Sequence, residues 1–259
     1  MANVENIVKV MKFHSLVRVD KAKKKAEKYL KIGNELVNMI SEILYNKNLN
    51  LDKKILKPND NGVTLNVYIG NDLGFCGSFN SLVMKCAKEE KDAQKIIIGD
   101  KIKSNYDNVL LSISKKEYYN EFNKVEDVIY PLFVNKNIKS INVIYNHYYS
   151  VNNIELKSDR IFPTVIEGNE EEIDLNVDYV IETDINKILT ELLTLYVWYQ
   201  LKIIECNSWA SENVMREMIT RESLKKIDEL NVEKRRIARK IKKQNDLKKL
   251  ISNYRKSGG

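Results

Sequence analysis

The fold turns on the last third of the chain, Asp184 to Lys256, which reads DINKILTELLTLYVWYQLKIIECNSWASENVMREMITRESLKKIDELNVEKRRIARKIKKQNDLKKLISNYRK. No glycine or proline occurs from Asn169 to Ser257, so nothing in it interrupts a helical backbone. Within it Ile227, Leu230, Lys234, Ile237, Ile241, Gln244, Lys248 and Ile251 step alternately by three and four. That is a heptad seam, weakened by its polar members, and it predicts a coiled coil of low self-affinity. Read as helix, the stretch extends roughly 110 Å at about 1.5 Å per residue. A compact chain of this length is only about 45–50 Å across, so the helix must project.

A second helix is predicted at the other end, from Val4 to about Tyr45. Ala22, Ala26, Tyr29, Leu36, Ile40 and Ile43 fall on one stripe, while Lys23, Lys24, Lys25 and Lys28 fall largely off it. Two long helices at opposite ends bury both stripes most simply as an antiparallel coiled coil rising from the domain between them. In that domain Asn46 to Asn61 reads as a loop, followed by a strand in which Val63, Leu65, Val67 and Ile69 alternate. A turn at Gly70–Gly74 leads to a helix from about Cys76 to Glu90. Lys95–Gly99 reads as a short buried strand, Lys115–Leu132 as a helix, and Ile138–Tyr145 and Val151–Arg160 as strands. The expected fold class is α/β: a central Rossmann-like domain (46–183) between a long N-terminal helix (1–45) and a long C-terminal one (184–259), the two forming a long antiparallel coiled coil.

Composition narrows the functional classes. The 259 residues include only 9 Gly and 3 Pro, and their 43% hydrophobic and 31% charged content supports a packed core rather than disorder. The most apolar segment, Ile188–Cys206, carries Glu191 and Lys202, so no membrane span is expected. Three cysteines without CxxC spacing indicate neither a disulfide framework nor a zinc site and point to a reducing, cytoplasmic setting. The net charge of +7 is unevenly placed. Arg18–Lys31 holds seven basic and two acidic residues, and Glu233–Lys256 eleven and two. Glu167–Asp184 has eight carboxylates and no Lys or Arg. Two basic helices at opposite ends of the chain suit a single acidic partner surface.

Constellations that carry chemistry are scarce. His14 and His147 have no local partner at metal-ligand spacing and read as packing histidines. The Gly70–Gly77 cluster fits neither GxxxxGK[ST] nor GxGxxG, so nucleotide binding by this chain is not expected. Gly74 and Gly77 are instead predicted to supply unusual backbone angles and close approach at a strand-to-helix turn. Cys76, between them, reads as a small buried residue, and Tyr196, Trp198, Tyr199 and Trp209 as core packing.

Three stretches carry a resemblance. Asn3, Ile7, Lys9 and Met11 have the spacing of an NTQKITKAM motif. Asp72-Leu73-Gly74-Phe75-Cys76-Gly77-Ser78-Phe79-Asn80 is similar to DRGLCGGLN. Tyr196-Val197 and Gln200, then Ala210-Ser211-Glu212 and Arg216, follow YVxxQ...LASExxxRM. Beyond these three, Arg239 and Asp246-Leu247 further along the last helix approximate NKxRQxxITQEL. In order and placement these resemble the gamma subunit of F-type ATP synthases, the central rotor shaft. The sequence departs from that pattern at Leu73, where the family has Arg, and at Lys240 and Gln244, where it has Gln and Thr. It also begins later and is slightly short between Arg216 and Arg239, and Ser104–Thr183 matches only in architecture.

The resemblance implies a non-catalytic subunit that couples ATP hydrolysis or synthesis in a hexamer of alpha and beta subunits to rotation. ATP, ADP and Mg would be held by those partners and no cofactor by this chain. Lys9, Met11, Glu212, Arg216, Arg239, Lys240 and Gln244 would be torque contacts to the beta subunits, and Gly74, Cys76, Gly77 and Asn80 the foot turn. An epsilon-like subunit and a rotor ring, or a substitute for it, would meet the foot, placing the protein in the cytoplasm, peripheral at the membrane face through its complex. Two alternatives remain: the shaft of a repurposed F1-like ATPase driving surface or gliding machinery without proton pumping, and a basic coiled-coil nucleic-acid-binding protein.

Overall fold

The computed structural model describes residues 2–46, 57–121, 123–150, 153–164 and 184–257. The acidic run from Glu167 thus lies outside the described residues as far as Glu182, as does residues 47–56 of the first loop. Two helices dominate, α1 (Ala2–Tyr45, 44 residues) and α5 (Ile185–Ser257, 73 residues). Between them come β1 (Val63–Ile69), α2 (Ser81–Glu89), β2 (Gln94–Ile98), β3 (Val109–Ile113), α3 (Lys115–Asn120), α4 (Asn123–Val134), β4 (Ile138–Ser150) and β5 (Asn153–Phe162).

The sheet order is β3-β2-β1-β4-β5. The first four strands are parallel and β5 returns antiparallel on β4. Period-two alternation sorts the side chains between its faces. Leu65, Val67, Ile69, Ile96, Ile98, Val143 and Tyr145 join Ile129 and Phe133 of α4 and Val197, Leu201 and Ile204 of α5 in one core. Tyr68, Ile97 and Ile144 point the other way, against Val83 and Ala87 of α2. The central strands bury both faces, which is why β2 reads as an unbroken Ile run rather than an alternation. The long C-terminal helix therefore serves two structures at once: it covers one face of the foot sheet and also forms half of the shaft.

The helix pairing is antiparallel, as the stripes require. Ile40 of α1 packs with Leu189 and Leu193, Tyr29 meets the Tyr199 ring at 6.0 Å, and Lys12 lies 3.8 Å from Glu217. The pairing runs out because α5 is much the longer helix. From Val232 to Asn253 every described side chain is exposed, and Ile237, Ile241 and Ile251 of the predicted seam are 49–51% exposed. From Leu230 outward the seam lies exposed.

Three local expectations are corrected. The helix expected from Cys76 starts at Ser81, after a tight turn in which Phe79 N–H bonds the Cys76 carbonyl at 3.1 Å. The single helix expected over Lys115–Leu132 is two, α3 and α4. The first opens on a capping box in which Ser114 and Glu117 satisfy each other's backbone amides. Strand β3 was not expected: its five residues, Val-Leu-Leu-Ser-Ile, are too short to show a period.

Candidate functional site

The residues singled out by sequence meet where the turn after β1, the start of α3 and the middle of α5 converge. Asp72 leads the turn. Its Oδ1 accepts the backbone N–H groups of Asp100 at 2.9 Å and Lys115 at 3.0 Å, and its Oδ2 that of Lys116 at 3.3 Å. In open α/β sheets anionic ligands sit beyond the carboxyl ends of the strands, on free amides of this kind. Here the chain's own carboxylate holds that place.

Positive backbone angles follow at Phe75 (φ 61°) and Gly77 (φ 55°). A Cβ at Gly77 would come within 3.1 Å of Ile219 Cδ1 on α5, so this glycine serves both conformation and close approach. Gly74 does neither: it has no positive φ and no atom within 4 Å of a built Cβ, which corrects the expectation for that residue. Within this turn the left-handed angle is also taken by an L residue, Phe75, which is 67% exposed. Asn80 donates to Asn71 Oδ1 at 2.8 Å, and Asn146 of β4 donates to the Phe79 carbonyl at 2.7 Å, fixing the turn to the sheet.

The turn is bound to α5 by buried ionic contacts. Lys115 Nζ donates to Glu212 Oε2 at 3.0 Å and lies 3.7 Å from Glu205 Oε1. Arg216 Nη2 donates to Glu212 Oε1 at 2.6 Å and to Cys76 Sγ at 3.1 Å, while its Nη1 donates to Asn213 Oδ1 at 3.1 Å. Cys76 in turn donates to the Gly74 carbonyl at 3.3 Å. Burial pushes the Cys76 thiol up to about 11, against the pull of Arg216, so it serves as a neutral link between turn and guanidinium. Burial also opposes charge on Glu212, but Lys115 and Arg216 together hold its carboxyl below the usual range. Lys115 is likewise disfavoured by burial, yet its two carboxylates raise its pKa. Glu205, fully buried, is the opposite case. No donor meets its oxygens at full hydrogen-bond geometry. Lys115 and the Tyr119 hydroxyl give it only partial relief, and burial pushes its carboxyl up.

Cations over rings complete the junction. Lys202 Nζ lies 4.7 Å from the Tyr118 ring centre, and Lys25 of α1 lies 5.7 Å from that of Trp209. Lys23 stands 4.7 Å over Tyr148 of β4. Lys23 and Lys25, expected off the helix stripe and facing water or a partner, thus bind the N-terminal helix to this chain's own aromatic surface.

Of the residues read as partner contacts, the structure removes two from the surface. Glu212 and Arg216 are each only 4% exposed and are spent on Lys115, Cys76 and Asn213, so they join foot to shaft rather than face a partner. The others are accessible. Lys9 is exposed and ion-paired with Glu5 at 2.6 Å, and Met11 is half-buried on α1. Arg239, Lys240 and Gln244 lie exposed on the outer length of α5, about 35–42 Å from Arg216 along the helix at about 1.5 Å per residue. Sequence reasoning missed Lys115, Glu205 and Asp72. The signal for Glu205 was a polar interruption of an apolar stripe: Glu205, Ser208 and Glu212 continue, by fours and threes, the line of Val197 and Leu201.

No helix among the described residues is long and apolar enough to cross a membrane. A family model described as ATP synthase matches residues 1–249. The ATP synthase gamma chain of Clostridium novyi is 28% identical over 255 residues, covering 91% of this chain and 88% of that one. The gamma chain of Mycoplasmopsis agalactiae is 27% identical over 275 residues, covering 96% and 94%. In fold, the chain is similar to one in the central stalk and c-ring structure of the Tetrahymena thermophila mitochondrial ATP synthase. That likeness has a TM-score of 0.57 at 17% identity, over 84% of this chain and 99% of that one. With the family matched along nearly its whole length and the paired-helix shaft in place, the chain belongs to the gamma-chain family of ATP synthases.

Proposed function

We propose that this chain is the central shaft of a rotary F-type ATPase, turning inside a hexamer of alpha and beta subunits that carries out the nucleotide chemistry. The observation that carries the reading is α5 itself: one unbroken helix of 73 residues that is built into the foot at one end and bare and basic at the other. A torque applied along its exposed half passes to the sheet without crossing a loop. The buried contacts of Lys115, Glu212 and Arg216 resist slippage at the junction, since separating either charge from its partners leaves it buried and uncompensated.

The role requires no bond chemistry from the chain. An asymmetric shaft presents different contacts to each surrounding subunit and so biases each between conformations, which is a coupling free energy between shaft angle and nucleotide affinity. Lys9, Met11, Arg239, Lys240 and Gln244 are positioned for such contacts, and a basic surface suits acidic loops on the encircling subunits. The foot would meet an epsilon-like subunit and the rotor ring or its substitute, keeping the complex at the cytoplasmic face of a membrane. Nucleotide and Mg would belong to the partners.

Tagged full-length chain purified from its native cells tests this directly. Co-purification of two larger subunits with ATPase activity supports the shaft reading. Recovery of the chain without an ATPase, or with nucleic acid released by salt as its main companion, overturns it.

A further inference from the structure

Between α4 and α5 the foot contains a cavity of about 230 Å³ that the shaft role does not use. Its floor is Ile129 and Val197, both part of the main core. Tyr130 and Trp198, half-buried, form aromatic walls, and Glu126 and Glu191 stand exposed at the rim. The arrangement follows from helical spacing: Glu126 precedes Ile129 and Tyr130 by three and four on α4, and Glu191 precedes Trp198 by seven on α5. Each helix therefore turns a carboxylate, an apolar contact and an aromatic to the same opening. Neither carboxylate has an ion-pair or hydrogen-bond partner among the described residues.

We propose that this cavity is a binding site for an organic cation: an ammonium or guanidinium head on an apolar stem. The chemistry selects that class. Two unpaired carboxylates repel anions. An uncharged apolar ligand would fill the floor but leave the rim charges unused. A hard metal ion needs several converging oxygens, and no group of three or more His, Cys, Asp or Glu side chains among the described residues could hold one. A cation on a carbon stem uses every part: stem on Ile129 and Val197, head beside the rings of Tyr130 and Trp198, charge against Glu126 and Glu191. The volume is smaller than that of drug-sized sites and suits a single head group, either a free solute or a Lys or Arg side chain of a bound partner. The proposal is independent of the shaft reading.

Indole N–H resonances of the full chain, with Trp209 as internal reference, provide the test. Choline and N-acetyl-arginine amide are titrated, with N-acetyl-citrulline amide as the uncharged isostere and sodium chloride at equal ionic strength. The expected result is a saturable shift of the Trp198 signal with a cation, little response to the isostere or salt, and about tenfold weaker binding in E126Q/E191Q, a tenfold change corresponding to about 1.4 kcal/mol. A response to both cations marks a site open to free solutes; one to the arginine compound alone marks a side-chain site. No shift with either cation, equal shifts with the uncharged isostere, or parallel movement of Trp209 overturns the proposal. Where E126Q/E191Q keeps the wild-type melting temperature and also binds as tightly as the wild type, the carboxylates are not part of the site and the proposal fails.

Discussion

Glu205 and Glu212 sit two helical turns apart on one face of α5 and share one ammonium, yet their environments push them in opposite directions. Glu212 has Lys115 at 3.0 Å and Arg216 at 2.6 Å. Its folded pKa is depressed, so it contributes stability above the ordinary carboxylate range, and that contribution is lost as pH falls through the folded value. Glu205 has a raised folded pKa. Its contribution is present only below the ordinary carboxylate value and is lost as pH rises through the folded one. Glu205→Gln is therefore expected to raise the melting temperature at neutral pH, by roughly 2–4 °C if about 1 kcal/mol is relieved, with the gain vanishing in acid. Glu212→Gln strands Arg216 and leaves Lys115 only Glu205 at 3.7 Å, and is expected to cost about 3–5 kcal/mol at neutral pH. Thermal melts of both variants from pH 4 to 8 check the pair; equal destabilisation by the two would refute this division of roles. The stripe marks both positions, but their opposite roles could not be assigned from sequence, because Lys115 and Glu212 are 97 residues apart and nothing local links them.

Among the elements, those fixed by a long period were legible and those fixed by a short turn were not. The helix pair and the strands β1, β4 and β5 declare themselves through stripes or alternation that persist over many residues, and β2 through the unbroken run Ile96-Ile97-Ile98. β3 is no longer than β2 and its apolar run is broken by Ser112, while the break between α3 and α4 falls at Glu121, where no glycine or proline marks it. The foot turn shows the same limit: composition marks both glycines, but only tertiary contact with Ile219 tells which one is required. Gly77→Ala is expected to destabilise the chain by about 1–3 kcal/mol, through left-handed strain and the contact with α5. Gly74→Ala is expected to lie within about 0.5 kcal/mol of wild type, as for a surface change that meets nothing. Urea unfolding of both at constant slope decides between them, and a costly Gly74→Ala would refute the geometry of the turn.

At the scale of the whole molecule, the chain is a foot, a paired shaft and a bare extension, and the first two hold together without the third. Deleting everything after Asn231 is expected to leave the melting temperature of foot and paired helices within about 2 °C of wild type, because no described side chain beyond that point is buried. The same deletion is expected to abolish coupling in a reconstituted complex, and a large drop in melting temperature would show that the extension folds back on the rest. The extension also has a mechanical meaning. Two packed helices resist bending and twisting far more than one, so the shaft is a beam of two stiffnesses, rigid from the foot to about Asp228 and compliant beyond. Most helical stability in proteins comes from packing of one face, and no described side chain beyond Asn231 is buried. The extension's straightness must be lent by whatever sleeve surrounds it, and elastic strain imposed at its tip would collect there rather than in the foot.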